Sequence, residues 1–238
     1  MPPLVIAVLL GALLVLVGFL VLSRRGAGGA VTATGDLHYL ALGDSYTIGT
    51  AVGADKSFPP RVAAHLEAVT HKKVGVVNLG VNGYTTEDLI RDEMPHLPDA
   101  RWDVITVLIG VNDYVQGRSE AEYRASLGRI YPRLKALGLP AGRVVVVSIP
   151  DFSFTPAGSG FGSPPVIQAG LRRFNAINRE EAEKSGLPFV DIFDLSRSRP
   201  TADGWIAGDG LHPGPVQLQA WADAVWEAVK TNWGPGLT

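Results

Sequence analysis

From His38 onward, short apolar runs alternate with longer amphipathic ones. The runs Tyr39–Leu42, Val74–Asn78, Val104–Ile109, Val144–Ile149 and Phe189–Ile192 are each continuous in apolar or β-branched residues. That pattern suits strands buried on both faces, because a strand with one wet face alternates instead. Between them, Pro60–Val69, Thr86–His96, Glu120–Leu137 and Val166–Ser185 carry helical spacing, and Pro215–Thr231 closes the chain. Leu127, Ile130, Tyr131, Leu134 and Leu137 recur at three and four, which marks a core-facing stripe. Pro60 and Pro215 read as first-turn prolines, and Gly138 and Gly186 as helix stops. Strand–helix alternation of this kind predicts an α/β fold in three α/β/α layers, with about five parallel strands joined by right-handed crossovers.

The first residues break the pattern. Leu4–Leu22 is an uncharged run of apolar residues and glycine, long enough to cross a hydrocarbon core as a helix. It shows no polar face, which a globular helix would have. Met1-Pro2-Pro3 brings no basic side chain, so an uncleaved anchor is favoured over a secretory signal, although Ala27-Gly28-Gly29-Ala30 offers a cleavage site. The expected organisation is an anchor or signal segment over 1–25, a Gly/Ala/Thr-rich linker over 26–35 and one domain over 36–238. Arg24 and Arg25 follow the span, and the positive-inside rule would place the domain in the cytoplasm. An upstream basic region would reverse that, so the side stays open. The working expectation is an extracytoplasmic, membrane-anchored domain, secreted if the segment is cleaved.

Composition narrows the chemistry. The chain has 238 residues, a formal net charge of -2 and 18% charged residues, with no electrostatic footprint for nucleic acid. There is no cysteine, hence no disulfide framework, thiolate nucleophile or zinc–cysteine site.

Polar motifs fall just past the carboxyl ends of the predicted strands, where ligands gather in open parallel sheets. Gly43-Asp44-Ser45 follows the first run, Asn78…Gly83-Tyr84-Thr85 the second, and Gly110-Val111-Asn112-Asp113 the third; Asp209-Gly210-Leu211-His212-Pro213 precedes the last helix. Together they hold the parts of a serine hydrolase. Ser45 is the candidate nucleophile, His212 its general base, and Asp209 the carboxylate that orients the imidazole across a turn. Asn112 supplies a neutral NH2 donor for a developing oxyanion, and Gly83 a backbone N–H with no side chain in the way. Asp44 and Asp113 are read as loop-shaping residues, and His38, His65, His71 and His96 as surface or capping groups. A metal at Asp209 and His212 lacks a third ligand at suitable spacing.

This ordered set resembles the SGNH or GDSL hydrolases, a family of serine esterases and lipases, over nearly the whole chain from His38. The resemblance implies Ser45 in Gly-Asp-Ser, Asn112 in Gly-x-Asn-Asp, and Asp209 and His212 in Asp-x-x-His. It places the oxyanion glycine in the loop after the second strand, where Gly80 and Gly83 compete, and the Asn-x-x-x-x-Gly-x-Thr spacing favours Gly83. It implies a flavodoxin-like sheet, an acyl-enzyme route with Ser45, Gly83 and Asn112 at the oxyanion, and no metal or organic cofactor. The small single-domain form is similar to the lysophospholipase, thioesterase and arylesterase branch, so the expected partner is a small-molecule or lipid ester.

The Gly-rich, aromatic stretch Asp151–Gly162 follows the fourth run and is expected to wall the site, with Phe152, Phe154 and Phe161 lining an acyl pocket. Two alternatives stay open: a carbohydrate O-acetyl esterase of the same family, and a flavodoxin-like domain that binds at these strand ends without chemistry.

Overall fold

The computed structural model describes residues 30–234 and 236–237. The expected span Leu4–Leu22 lies outside them. Among the described residues no helix is long and apolar enough to cross a membrane. A compact unit starts at Val31. The Val31 N–H donates to Asp99 Oδ2 at 2.9 Å, and Val31 and Ala33 pack on the core, so this end of the expected linker is docked.

Five parallel strands form the sheet: β1 Leu37–Gly43, β2 Val74–Asn78, β3 Val104–Leu108, β4 Val144–Val147 and β5 Phe189–Val190. Their order is β2-β1-β3-β4-β5, the flavodoxin-like arrangement. The helices are α1 Ser45–Ile48, α2 Phe58–Thr70, α3 Thr86–Asp88, α4 Val111–Val115, α5 Glu120–Lys135, α6 Pro164–Lys184, α7 Phe193–Ser196 and α8 Pro215–Trp233. α2 packs with α8, and α5 with α6. β3 and β4 are buried at every position, as their unbroken apolar runs require. On α5, Leu127, Ile130, Tyr131 and Leu134 are buried and Leu137 is partly so.

Two corrections apply to the predicted elements. Val104–Ile109, Val144–Ile149 and Phe189–Ile192 are each too long as strands. Ile109, Ile149 and Ile192 are buried outside the ladder; the Ile149 N–H, for example, donates to the Asn175 side chain of α6 at 2.8 Å and the Ile192 N–H to Ser148 Oγ at 2.8 Å. Thr86–His96 is not one helix. After α3 the chain widens into a π turn, Leu89–Glu93, then tightens into a 3₁₀ turn, Met94–His96, around Pro95. Within the stretch Asp151–Gly162, Asp151, Phe152, Ser153 and Thr155 are buried, and Gly158–Phe161 is a 3₁₀ turn.

The switch point lies between β1 and β3, where the chain leaves in opposite directions. All four polar motifs emerge beside it or face it from the β4–β5 side.

Candidate active site

β1 ends at Gly43, with φ +150 and no room for a side chain, since a Cβ would stand 2.2 Å from the Leu108 carbonyl. The glycine therefore lets β1 stay paired with β3 up to the turn. Asp44 caps α1, its Oδ1 accepting the Tyr46 N–H at 3.0 Å, and Ser45 is the first helical residue. Ser45 is buried apart from a small exposed area. Among the described residues neither its N–H nor its Oγ has a hydrogen-bond partner.

The chain leaving β2 runs along the end of β1. Leu79 N–H donates to Ala41 O at 2.9 Å and Val81 N–H to Gly43 O at 3.2 Å. Asn78 Nδ2 donates to Thr47 O at 2.7 Å, tying this loop to α1. The two candidate glycines differ here. Gly80 donates its N–H to Asn78 Oδ1 at 3.1 Å and packs against the Asp44 backbone. Gly83 occupies the third position of a tight turn closed by Tyr84 N–H to Val81 O, at φ +80, and its N–H has no acceptor among the described residues. The available donor is at Gly83.

Past β3, Asn112 Nδ2 donates to Tyr84 O at 2.9 Å, which leaves one of its two amide hydrogens. Asp113 points the other way. It is fully buried and accepts from Thr86 N at 2.9 Å and Thr86 Oγ1 at 2.6 Å. Arg118 Nε lies 3.2 Å from its Oδ1, off the hydrogen-bond axis. Burial raises the Asp113 pKa, against the Thr86 hydrogen bonds and the Arg118 charge.

On the opposite wall, His212 Nδ1 donates to Asp209 Oδ2 at 2.5 Å. Asp209 Oδ1 also accepts the backbone N–H groups of Leu211 and His212, each at 3.0 Å. Burial works against the Asp209 charge, but those two amides and the imidazole overcome it and hold its pKa below the ordinary value. The Nδ1–H bond leaves Nε2 as the basic nitrogen. No hydrogen bond joins Ser45 Oγ to His212 among the described residues; contacts of this type tighten in the reacting complex. Tyr46 links the two walls, its ring edge-on to His212 at 5.8 Å and to Trp221 at 5.8 Å. The sequence assigned no role to Tyr46; its place directly after the candidate nucleophile was the available signal.

Phe152 and Phe154 line a shallow cleft with Tyr46, Leu211, His212 and Trp221. Phe161 lies outside that lining. It is 46% exposed and touches Phe152 edge-on at 5.5 Å. Among the described residues no cluster of His, Cys, Asp or Glu could hold a metal ion.

A model of the GDSL-like lipase/acylhydrolase family matches residues 41–217. Among solved structures, a lipase/acylhydrolase from Enterococcus faecalis is similar at 22% identity and a TM-score of 0.66, over 82% of this chain and 96% of that one. Axe2, an acetylxylan esterase from Geobacillus stearothermophilus, is similar at 20% identity and 0.65, over 85% and 98%. TesA is similar at 18% identity and 0.65, over 82% and 98%. No curated protein matches the sequence. At these identities the structural likenesses speak for the fold alone.

Proposed function

The chain belongs to the GDSL-like lipase/acylhydrolase family and is a carboxylic ester hydrolase, and on that premise we propose that it is a serine esterase working through an acyl-enzyme on Ser45. The observation that carries this reading is the Asp209–His212 pair, hydrogen-bonded at 2.5 Å with Nε2 left as base, on the same sheet edge as a serine with an unengaged hydroxyl.

In the proposed reaction His212 Nε2 takes the Ser45 proton as Oγ attacks the ester carbonyl. Negative charge collects on the carbonyl oxygen, where the Ser45 N–H, the Gly83 N–H and the remaining Asn112 Nδ2 hydrogen donate to it. The tetrahedral intermediate collapses, the C–O bond breaks, and the alcohol leaves with the proton returned by His212. Water, deprotonated by the same imidazole, then attacks the acyl-enzyme; the bond from the acyl carbon to Ser45 Oγ breaks, His212 returns the proton to Oγ, and the acid is released. Asp209 holds the imidazole in the tautomer both steps need.

The favoured substrates are short-acyl or lysophospholipid-type esters, because the cleft beside His212 is walled by Phe152, Phe154, Leu211 and Trp221. Phe161 would act only at its outer rim, against Phe152. An uncharged Leu4–Leu22 supports a membrane anchor for the domain, with the extracytoplasmic side as the working assignment; protease protection of the anchored protein decides the side.

The test is to treat the full chain with a fluorophosphonate probe, map the adduct, and measure turnover of nitrophenyl esters from acetyl to long acyl. Labelling at Ser45 and a preference beyond acetyl are expected. An acetyl-only profile turns the assignment toward a carbohydrate O-acetyl esterase, and a folded protein with neither adduct nor turnover removes the esterase reading. Replacing Phe152 and Phe154 with serine should flatten the chain-length preference.

A further inference from the structure

Glu93 is 2% exposed, yet the reaction just described gives it no part. Its Oε2 accepts the Gly43 N–H at 2.8 Å. Its Oε1 is buried without a partner. Both carbonyls at this end of β1, Ala41 O and Gly43 O, are occupied by the departing β2 loop, whereas the Gly43 N–H is taken by this one side chain.

The route that brings Glu93 there is specific. The π turn Leu89–Glu93 closes with Met94 N–H to Leu89 O, and this extra residue in the turn sets Glu93 against β1. The same stretch of chain, 83–93, supplies Gly83, bonds Asn112 and its neighbour Asp113, and reaches Ser45 through Gly43. Gly83 offers its amide, Tyr84 O holds Asn112, Thr86 holds Asp113, and Glu93 holds Gly43.

Gly43 is the residue most in need of such a hold. Its φ of +150 lies in a region glycine enters freely, and it stands two positions before Ser45. An unrestrained peptide there would let the Ser45 amide and hydroxyl drift relative to Gly83 and Asn112. Taking Ser45 as the nucleophile, as proposed above, we infer that Glu93 is a positioning residue that fixes the end of β1 by accepting the Gly43 N–H and so sets the aim of Ser45. Burial, aided by the nearby carboxyls of Asp44, Asp92 and Asp88 and opposed by the Gly43 hydrogen bond, pushes the Glu93 carboxyl well above its ordinary pKa. A glutamine, whose side-chain oxygen has the same reach, can accept the same N–H.

The experiment compares full-chain wild type, Glu93→Gln and Glu93→Leu for kcat and KM on a nitrophenyl ester, fluorophosphonate labelling at Ser45, and thermal midpoint. E93L should lose about 10- to 100-fold in kcat with KM within about threefold, the scale expected for a small misplacement of a reacting group. E93Q should stay within about threefold of wild type in both. A folded E93L with wild-type kcat overturns the inference, because a purely structural role would move only the midpoint. A folded E93Q as impaired as E93L overturns it as well. Should E93L not fold, Glu93→Asp, which withdraws the carboxyl from Gly43, replaces it under the same two criteria. Wild type that folds but is not labelled at Ser45 defeats the esterase reading itself, and this inference with it. Wild type that labels normally beside an unimpaired E93L defeats the Glu93 role alone.

Discussion

The two walls of the site are built on opposite principles. The wall carrying Ser45, Gly83 and Asn112 stands on β1 and β3, and it is stitched by carboxyl groups that are themselves buried: Asp44, Glu93 and Asp113. The wall carrying Asp209 and His212 is a loop before α8. It is held mainly by contacts within a few residues of itself, Asp209 to two amides, Ala207 N–H to His212 O and a bridge from Ile206 to Pro213, with Ala157 N–H donating to Gly210 O at 3.0 Å from the loop after β4. Asp209 keeps 34% of its side chain in water. Beside the local Asp44 cap, the donors that must meet a developing charge are set by the long-range bonds of Glu93 and Asp113, while the proton carrier is oriented mainly by its own turn. Stability and activity should therefore separate between the walls.

The largest effect tests the shared chemistry. Ser45→Ala should lower kcat by roughly 10⁴-fold or more, leaving only the background of binding and oxyanion donors. Asp209→Ala should cost on the order of 10³- to 10⁴-fold in kcat while shifting stability by about 1 kcal/mol or less, as for a partly exposed ion pair. Asp113→Ala should do the reverse. It leaves the Thr86 N–H and hydroxyl buried without acceptors, at about 1–3 kcal/mol each, so urea denaturation should show the loss before kinetics do. Equal stability losses in D113A and D209A would erase the contrast between the walls. Asn112→Ala, which removes one oxyanion donor, should reduce kcat by about 10²- to 10³-fold with KM little changed.

The locally held features were the ones legible in the sequence. Strand–helix alternation follows from burial on both faces, and Gly43-Asp44-Ser45 and Asp209…His212 each carry their chemistry within a few residues. Gly83 was favoured over Gly80 by the family's motif spacing, and in the structure the Gly80 amide is engaged by Asn78. What could not be read depends on distant partners. Glu93 looked like one more polar position in an amphipathic helix, because the π turn that carries it to β1 has no local signature. Ile149 looked like strand, since a buried residue whose N–H and C=O are met by the Asn175 side chain of α6 has the same hydrophobicity as one met by a ladder. Phe161 looked equivalent to Phe152 and Phe154, yet the 3₁₀ turn at Gly158–Phe161 leaves it on the rim.

The smallest effect is the most specific to the buried wall. Burial pushes the Asp44 carboxyl up to about 8, with the Tyr46 amide opposing and the Asp113 charge adding to it. In the unfolded chain the same group titrates near roughly 3.9. Between those values the folded protein holds a proton that the unfolded chain has released. The stability this contributes is complete below about pH 4 and is lost as pH rises toward 8, at about 1.4 kcal/mol per pH unit at most. Glu93 is raised too and acts in the same sense. Asp44→Asn keeps the cap on α1 but cannot titrate. Urea midpoints at pH 5 and pH 8 should therefore fall less in D44N than in wild type, and least in D44N/E93Q. Asp209 has the opposite sign: its pKa is lowered, so its contribution is present above the ordinary carboxylate range and lost only as pH falls through the folded value. Asp209→Asn should leave the pH 5 to 8 slope as it is in wild type. A slope that D44N does not change would mean the carboxyls behind Ser45 are ionised together at neutral pH, and that the buried wall is held by charge instead of by shared protons.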